Sequence, residues 1–121
     1  MNWWDVLIVL GFIAAFMLYR HSGLISVKDA QQYLKHGALV IDVRTAGEFV
    51  AGHLPVAVNL PLSEIESNWA RRIRDKNQVL LLHCQSGTRS SSAKKKLIAL
   101  GCPHTFNMGG YARAERIVRG K

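Results

Sequence analysis

Two cysteines in 121 residues, Cys84 and Cys102, are too few for a disulfide framework, which excludes the small secreted folds that depend on crosslinks. Acidic residues are scarce too: 8 Asp and Glu stand against 16 Lys and Arg, a formal net charge of +8. Internal repeats, low-complexity tracts and long linkers are missing, so a solenoid or a string of domains is excluded and one domain remains. The basic clusters Arg71-Arg72-Ile73-Arg74 and Lys94-Lys95-Lys96 lack interleaved aromatic residues and any nucleic-acid recognition motif, so nucleic acid is not an expected partner. No Lys or Arg precedes the apolar run that begins at Trp3, and no small-x-small cleavage site follows it, which argues against a removed signal peptide.

That apolar run is the first thing present. Trp3 to Tyr19 is apolar apart from Asp5 and as a helix would cover roughly 25 Å, near the lower limit for a bilayer span. Trp3, Trp4 and Tyr19 at its ends suit membrane-water interfaces, with Arg20 and His21 reaching beyond. The expectation is a single transmembrane anchor over residues 1–20 and a soluble domain over 21–121. Arg20, Lys28 and Lys35 follow the span while only Asp5 and the terminal amine precede it. The positive-inside rule therefore turns the domain of this single-pass membrane protein toward the cytoplasm, from the inner (cytoplasmic) membrane. Only Asp5 and Arg20 are charged within the first twenty residues, so the net charge belongs to the domain and predicts attraction to anionic lipid headgroups or small anionic substrates.

From Ser26 the chain alternates helix and strand signals with short connections, an α/β rhythm. Capping boxes are expected at Ser26 with Asp29, Thr45 with Glu48, and Ser63 with Glu66. Helices are expected at 27–36, 46–51, 64–74, 90–100 and 111–118, and strands at 38–43, 56–59, 78–84 and 104–107. The run Gln78 to Cys84 is continuously apolar over Val79-Leu80-Leu81-Leu82, as a strand buried on both faces of a parallel sheet requires.

Cys84-Gln85-Ser86-Gly87-Thr88-Arg89 follows that strand directly and leads into a helix. Ligands of open α/β sheets bind at the carboxyl ends of strands, which is where Cys84 falls. A helix start offers unpaired N–H groups and the positive end of the dipole, and both favour a thiolate over a thiol. The N–H groups of Gln85 to Ser90 can curl around Sγ, with Gly87 permitting the turn and the hydroxyls of Ser86, Thr88 and Ser90 adding donors. Arg89 adds a permanent positive charge that closes this anion cradle; a surface salt bridge is its other open role.

Four motifs occur in order: Ile41-Asp42-Val43-Arg44 with Glu48-Phe49; Gly52-His53-Leu54-Pro55 through Asn59-Leu60-Pro61; Cys84 to Ser90; and Met108-Gly109-Gly110-Tyr111. Together they resemble a single-domain rhodanese module from about Ile25 to Arg119. The resemblance implies a rhodanese-like parallel sheet flanked by helices, here preceded by one transmembrane helix. It also implies a sulfurtransferase in which Cys84 is the nucleophile that carries sulfane sulfur as a persulfide. The loop Gln85, Ser86, Gly87, Thr88, Arg89 and Ser90 would hold an anionic donor such as thiosulfate, and a thiol, cyanide or protein would accept the sulfur. Val56 stands where the family commonly has glycine, and Gln85 where many members carry arginine. The alternative from another class is a non-catalytic, membrane-tethered binding or scaffold module. Related phosphatases place five residues between Cys and Arg, whereas four separate Cys84 from Arg89.

Asp42, Arg44, Glu48 and His53 are expected as structural support, with one Arg tying two carboxylates and His53 held in a turn. His83-Cys84 with Cys102-Pro103-His104 is the nearest approach to a metal set, but neighbouring strand residues diverge, so no metal is expected, nor any organic cofactor. Cys102 is either a small packing residue or a resolving thiol, and Tyr111 either lines the pocket or packs.

Overall fold

The computed structural model describes residues 2–120, with side chains throughout except at 19–22. The elements run α1 (Trp3–Ser22), α2 (Val27–Lys35), β1 (Leu39–Asp42), α3 (Ala46–Ala51), β2 (Ala57–Asn59), a 3-10 turn (Leu62–Glu64), α4 (Ile65–Arg72), β3 (Leu80–His83), α5 (Thr88–Ala99), β4 (Thr105–Gly109) and α6 (Tyr111–Arg119). The strands form one parallel sheet in the order β2-β1-β3-β4. An isolated bridge from Leu24 to Asn107 continues it beyond β4.

The apolar run in β3 resolves into two faces because side chains alternate along a strand. Leu80, Leu82 and Cys84 pack with Ile41, Val43, Ile65, Ala93 and Leu97 beneath α4 and α5. Leu81 joins Val40, Ala30, Met108, Ala114 and Ile117 beneath α2 and α6. All four β3 residues are buried, and each leucine withdrawn from water contributes about 1.5–3 kcal/mol. The same alternation carries Cys84 to the α4/α5 layer and His83 to the α2/α6 layer.

Side-chain caps set the starts of α2 and α3. Ser26 accepts from the Asp29 N–H at 3.1 Å, and Thr45 with Glu48 makes a complete reciprocal box. The box expected at Ser63 with Glu66 does not form: Ser63 lies inside the 3-10 turn, and α4 begins at Ile65 without a side-chain cap. Tight 3-10 winding absorbs the residues that would have stood before the cap. The helix after the cysteine loop opens at Thr88 rather than Ser90, with Gly87 as its left-handed N-terminal residue.

The transmembrane anchor is not supported. Helix α1 runs past the expected boundary at residue 20, yet among the described residues no helix is long and apolar enough to cross a membrane. Trp3 to Leu18, the part of α1 whose side chains are described, covers roughly 24 Å as a helix against ~30 Å of hydrocarbon. The interfacial roles expected of Tyr19, Arg20 and His21 fall on side chains outside the described residues, as does Lys121 at the end of the expected domain.

Candidate active site

Strand β3 delivers Cys84 to the carboxyl edge of the sheet, where the chain turns sharply into α5. The thiol is fully buried. The Gly87 N–H points at Sγ from 2.9 Å, and the Ser90 hydroxyl lies 3.5 Å away. Burial by itself would push the thiol up. Hydrogen bonding from the Ser90 hydroxyl and from the backbone N–H groups of Ser90, Ser86 and Gly87 overcomes that and holds it below its ordinary value. The Ser90 hydroxyl has one proton and three acceptors in reach: Sγ, the Gly87 carbonyl at 3.1 Å and Asn107 Oδ1 at 2.7 Å. Asn107 is much the shortest partner, so the backbone N–H groups supply the lasting stabilisation.

The loop keeps its shape because β4 braces it. Asn107 Oδ1 also accepts from the Gly109 N–H at 2.8 Å, while its Nδ2 donates to the Gly87 carbonyl at 3.3 Å. The Cys84 N–H donates to the Gly109 carbonyl, and the Tyr111 N–H to that of Gln85. Two glycines are required for so close an approach. Gly87 has φ +93°, and a Cβ there would lie 3.3 Å from Gly109 Cα; a Cβ on Gly110 would lie 2.8 Å from the Gln85 carbonyl oxygen. Sequence reasoning missed Asn107, treating it only as the end of a strand. The available signal was an amide beside Met108-Gly109-Gly110, at the sheet end shared with Cys84.

Arg89 does not point at the sulfur. Its guanidinium makes a two-pronged pair with Glu48, at 2.6 and 3.0 Å, and each side chain keeps about a third of its surface exposed, at 35%. Arg89 together with the Thr45 backbone N–H holds the Glu48 carboxyl down to about 2. Arg44 meanwhile serves Asp42 alone, donating at 2.7 Å and also reaching the Gly52 carbonyl at 2.7 Å. The expected tie of one arginine between two carboxylates is thus two separate pairs, because Arg89 reaches Glu48 from across the loop. Asn59 fastens this corner by donating to the Asp42 and Arg44 carbonyls. His53 stacks on Phe49, 3.7 Å between ring centres, with Nδ1 2.8 Å from the Phe49 carbonyl at the end of α3.

Tyr111 packs rather than lining the cysteine loop: the Arg44 guanidinium lies 4.9 Å from its ring centre, and the His83 ring meets it edge-on at 5.6 Å. Cys102 is buried and free, and burial raises its thiol. Among the described residues no group of three or more His, Cys, Asp or Glu is placed to hold a metal ion. The outer side of the loop, at Ser86, Gly87 and Thr88, borders a groove of about 790 Å³ whose walls include Lys94, Lys95 and Met17.

A thiol whose anion is favoured by backbone donors suits nucleophilic displacement at a soft atom. The family model of the rhodanese-like domain matches residues 26–115. The chain belongs to the rhodanese-like family. Among rhodanese-like relatives, thiosulfate sulfurtransferase PspE of Escherichia coli (strain K12) is 36% identical over 70 residues, covering 58% of this chain and 67% of that protein. The uncharacterized protein YqhL of Bacillus subtilis (strain 168) is 32% identical over 112 residues, covering 86% and 87%. The solved human single-domain sulfurtransferase TSTD1 aligns with a TM-score of 0.66 at 27% identity, over 78% of this chain and 96% of that one. The rhodanese-like parallel sheet flanked by helices is therefore the fold of this chain.

Proposed function

We propose that this rhodanese-like chain is a sulfurtransferase that carries sulfane sulfur as a persulfide on Cys84. The observation that carries the reading is the buried Cys84 thiol, held below its ordinary pKa by the N–H groups of its own loop. The thiolate attacks the outer sulfur of an anionic donor such as thiosulfate. A new S–S bond forms, the donor's S–S bond breaks, and its electron pair leaves with sulfite. An acceptor thiolate, cyanide or a protein thiol then attacks the outer persulfide sulfur, and Cys84 leaves as thiolate. Every step is a two-electron displacement and requires no metal or organic cofactor. Arg89 acts through charge and through its brace to Glu48, while Gln85 to Ser90 shape the cup.

The same reading places the domain at the cytoplasmic face of a membrane, with α1 against lipid. Trp3, Trp4, Phe12 and Leu18 are 70–74% exposed, and the domain is strongly basic. Both cysteines are unpaired, as a reducing compartment requires.

Intact mass after incubation with thiosulfate or a persulfide donor is expected to show one added sulfur atom that cyanide removes. Failure of the wild type with every donor, or persistence of the added mass in Cys84→Ser, would overturn the assignment in favour of a non-catalytic binding module. Salt-sensitive cosedimentation with anionic vesicles tests the membrane placement, and its absence at low salt refutes it.

A further inference from the structure

His83 precedes the reactive cysteine by one residue and lies on the opposite face of the sheet, fully buried. Its Nδ1 is 3.2 Å from the Cys84 carbonyl oxygen. Its Nε2 has no hydrogen-bond partner; the Asp42 carboxylate stands 3.7 Å off, beyond hydrogen-bond reach and already engaged by Arg44. A carbonyl oxygen can only accept, so the Nδ1 contact is a hydrogen bond only when Nδ1 carries the proton. In the neutral ring that tautomer turns the Nε2 lone pair toward a carboxylate. A fourth leucine continuing Leu80-Leu81-Leu82 would avoid this cost.

What the arrangement secures is the peptide between Cys84 and Gln85. In a trans peptide the C=O and the following N–H point in opposite directions. Fixing the Cys84 oxygen toward His83 turns the Gln85 N–H, and the start of the loop, the other way. It also keeps the negative end of that carbonyl dipole off the thiolate. The ring packs edge-on against Tyr111 of α6, with the Asp42 carboxylate of β1 3.7 Å from Nε2 favouring its protonation and the Arg44 charge opposing it.

We propose that His83 is a positioning residue: its Nδ1–H pins the Cys84 carbonyl and thereby aims the loop N–H groups at the sulfur. The proposal rests on Cys84 being the reactive thiol of the family chemistry. It is read by alkylation, which needs no sulfur transfer, so its failure and the failure of the sulfurtransferase assignment are separable.

The test compares the full chain with His83→Asn and His83→Gln, following iodoacetamide modification of Cys84 by peptide mass across pH. The Asn amide nitrogen can stand where Nδ1 stands, whereas the Gln amide reaches the Nε2 position. Asn is expected to keep the profile within about twofold. Gln is expected to react about tenfold more slowly below the thiol's pKa, a shift of about one unit. Coincident Asn and Gln profiles would overturn the proposal, because packing alone does not distinguish the two nitrogens. Nitrogen chemical shifts of the wild-type ring give an answer independent of variant folding: protonated Nδ1 is expected, and an Nε2–H tautomer would refute it.

Discussion

Replacing Asn107 with Asp changes one group in the brace behind the cysteine loop and almost nothing in shape. The carboxylate keeps the acceptor used by the Ser90 hydroxyl and the Gly109 N–H, and loses the Nδ2 donor to the Gly87 carbonyl. It also brings a negative charge close to the sulfur. Ser90 Oγ lies 2.7 Å from Asn107 Oδ1 and 3.5 Å from Cys84 Sγ, so the added charge stands at most about 6 Å from Sγ. At an effective dielectric of about 20, two unit charges at that distance repel by about 3 kcal/mol, equivalent to about two pKa units on the thiol. The thiol's folded value, now depressed, would rise, and the thiolate fraction below it would fall by up to about 100-fold. Iodoacetamide alkylation of Cys84 from acidic to alkaline pH reads this directly, with Asn107→Ala as the uncharged control. The alanine variant should lose stability by about 2–4 kcal/mol through the unpaired groups it leaves, with a smaller shift in the alkylation profile. A folded Asn107→Asp protein whose profile coincides with the wild type would refute the claim that charge around this loop governs the thiolate.

Three further outcomes follow from the geometry. Gly110→Ala places a Cβ 2.8 Å from the Gln85 carbonyl oxygen, so the loop must shift, and alkylation of Cys84 should slow by at least about tenfold in a protein that still melts cooperatively; an unchanged rate would contradict the close approach. Glu48→Gln removes the partner of Arg89. Because the folded carboxyl sits near 2 rather than 4.5, its stabilising contribution is complete above 4.5 and is lost as pH falls toward 2, so melting temperatures of wild type and variant should differ at neutral pH and converge in acid. A gap that persists in strong acid would assign the effect to packing. Leu82→Ala opens the layer under α5 and should cost about 2–5 kcal/mol in denaturant melts, and a loss below about 1 kcal/mol would show that β3 does not anchor this core.

Much of this architecture could be read from the chain because its signals were local. The leucine run, the Thr45–Glu48 box and the cysteine at a strand-to-helix turn each follow from neighbours a few residues apart. What escaped depended on contacts across the fold. Arg89 and Glu48 are 41 residues apart, and nothing in either segment says that the guanidinium turns from the sulfur to the carboxylate. Asn107 became a site residue only when β4 lay beside β3 and brought it under Ser90. The N-terminal helix was legible as a helix from its continuous apolar run.

The complete burial of Cys84 carries a consequence for timing. A persulfide bond is about 2 Å long. In the proposed cycle the transferable sulfur therefore stands one bond further out than the hidden thiolate, moved from the floor of the cup toward its rim. Loaded and empty proteins then present different surfaces. In that cycle an acceptor would meet a different surface on the loaded protein than on the empty one.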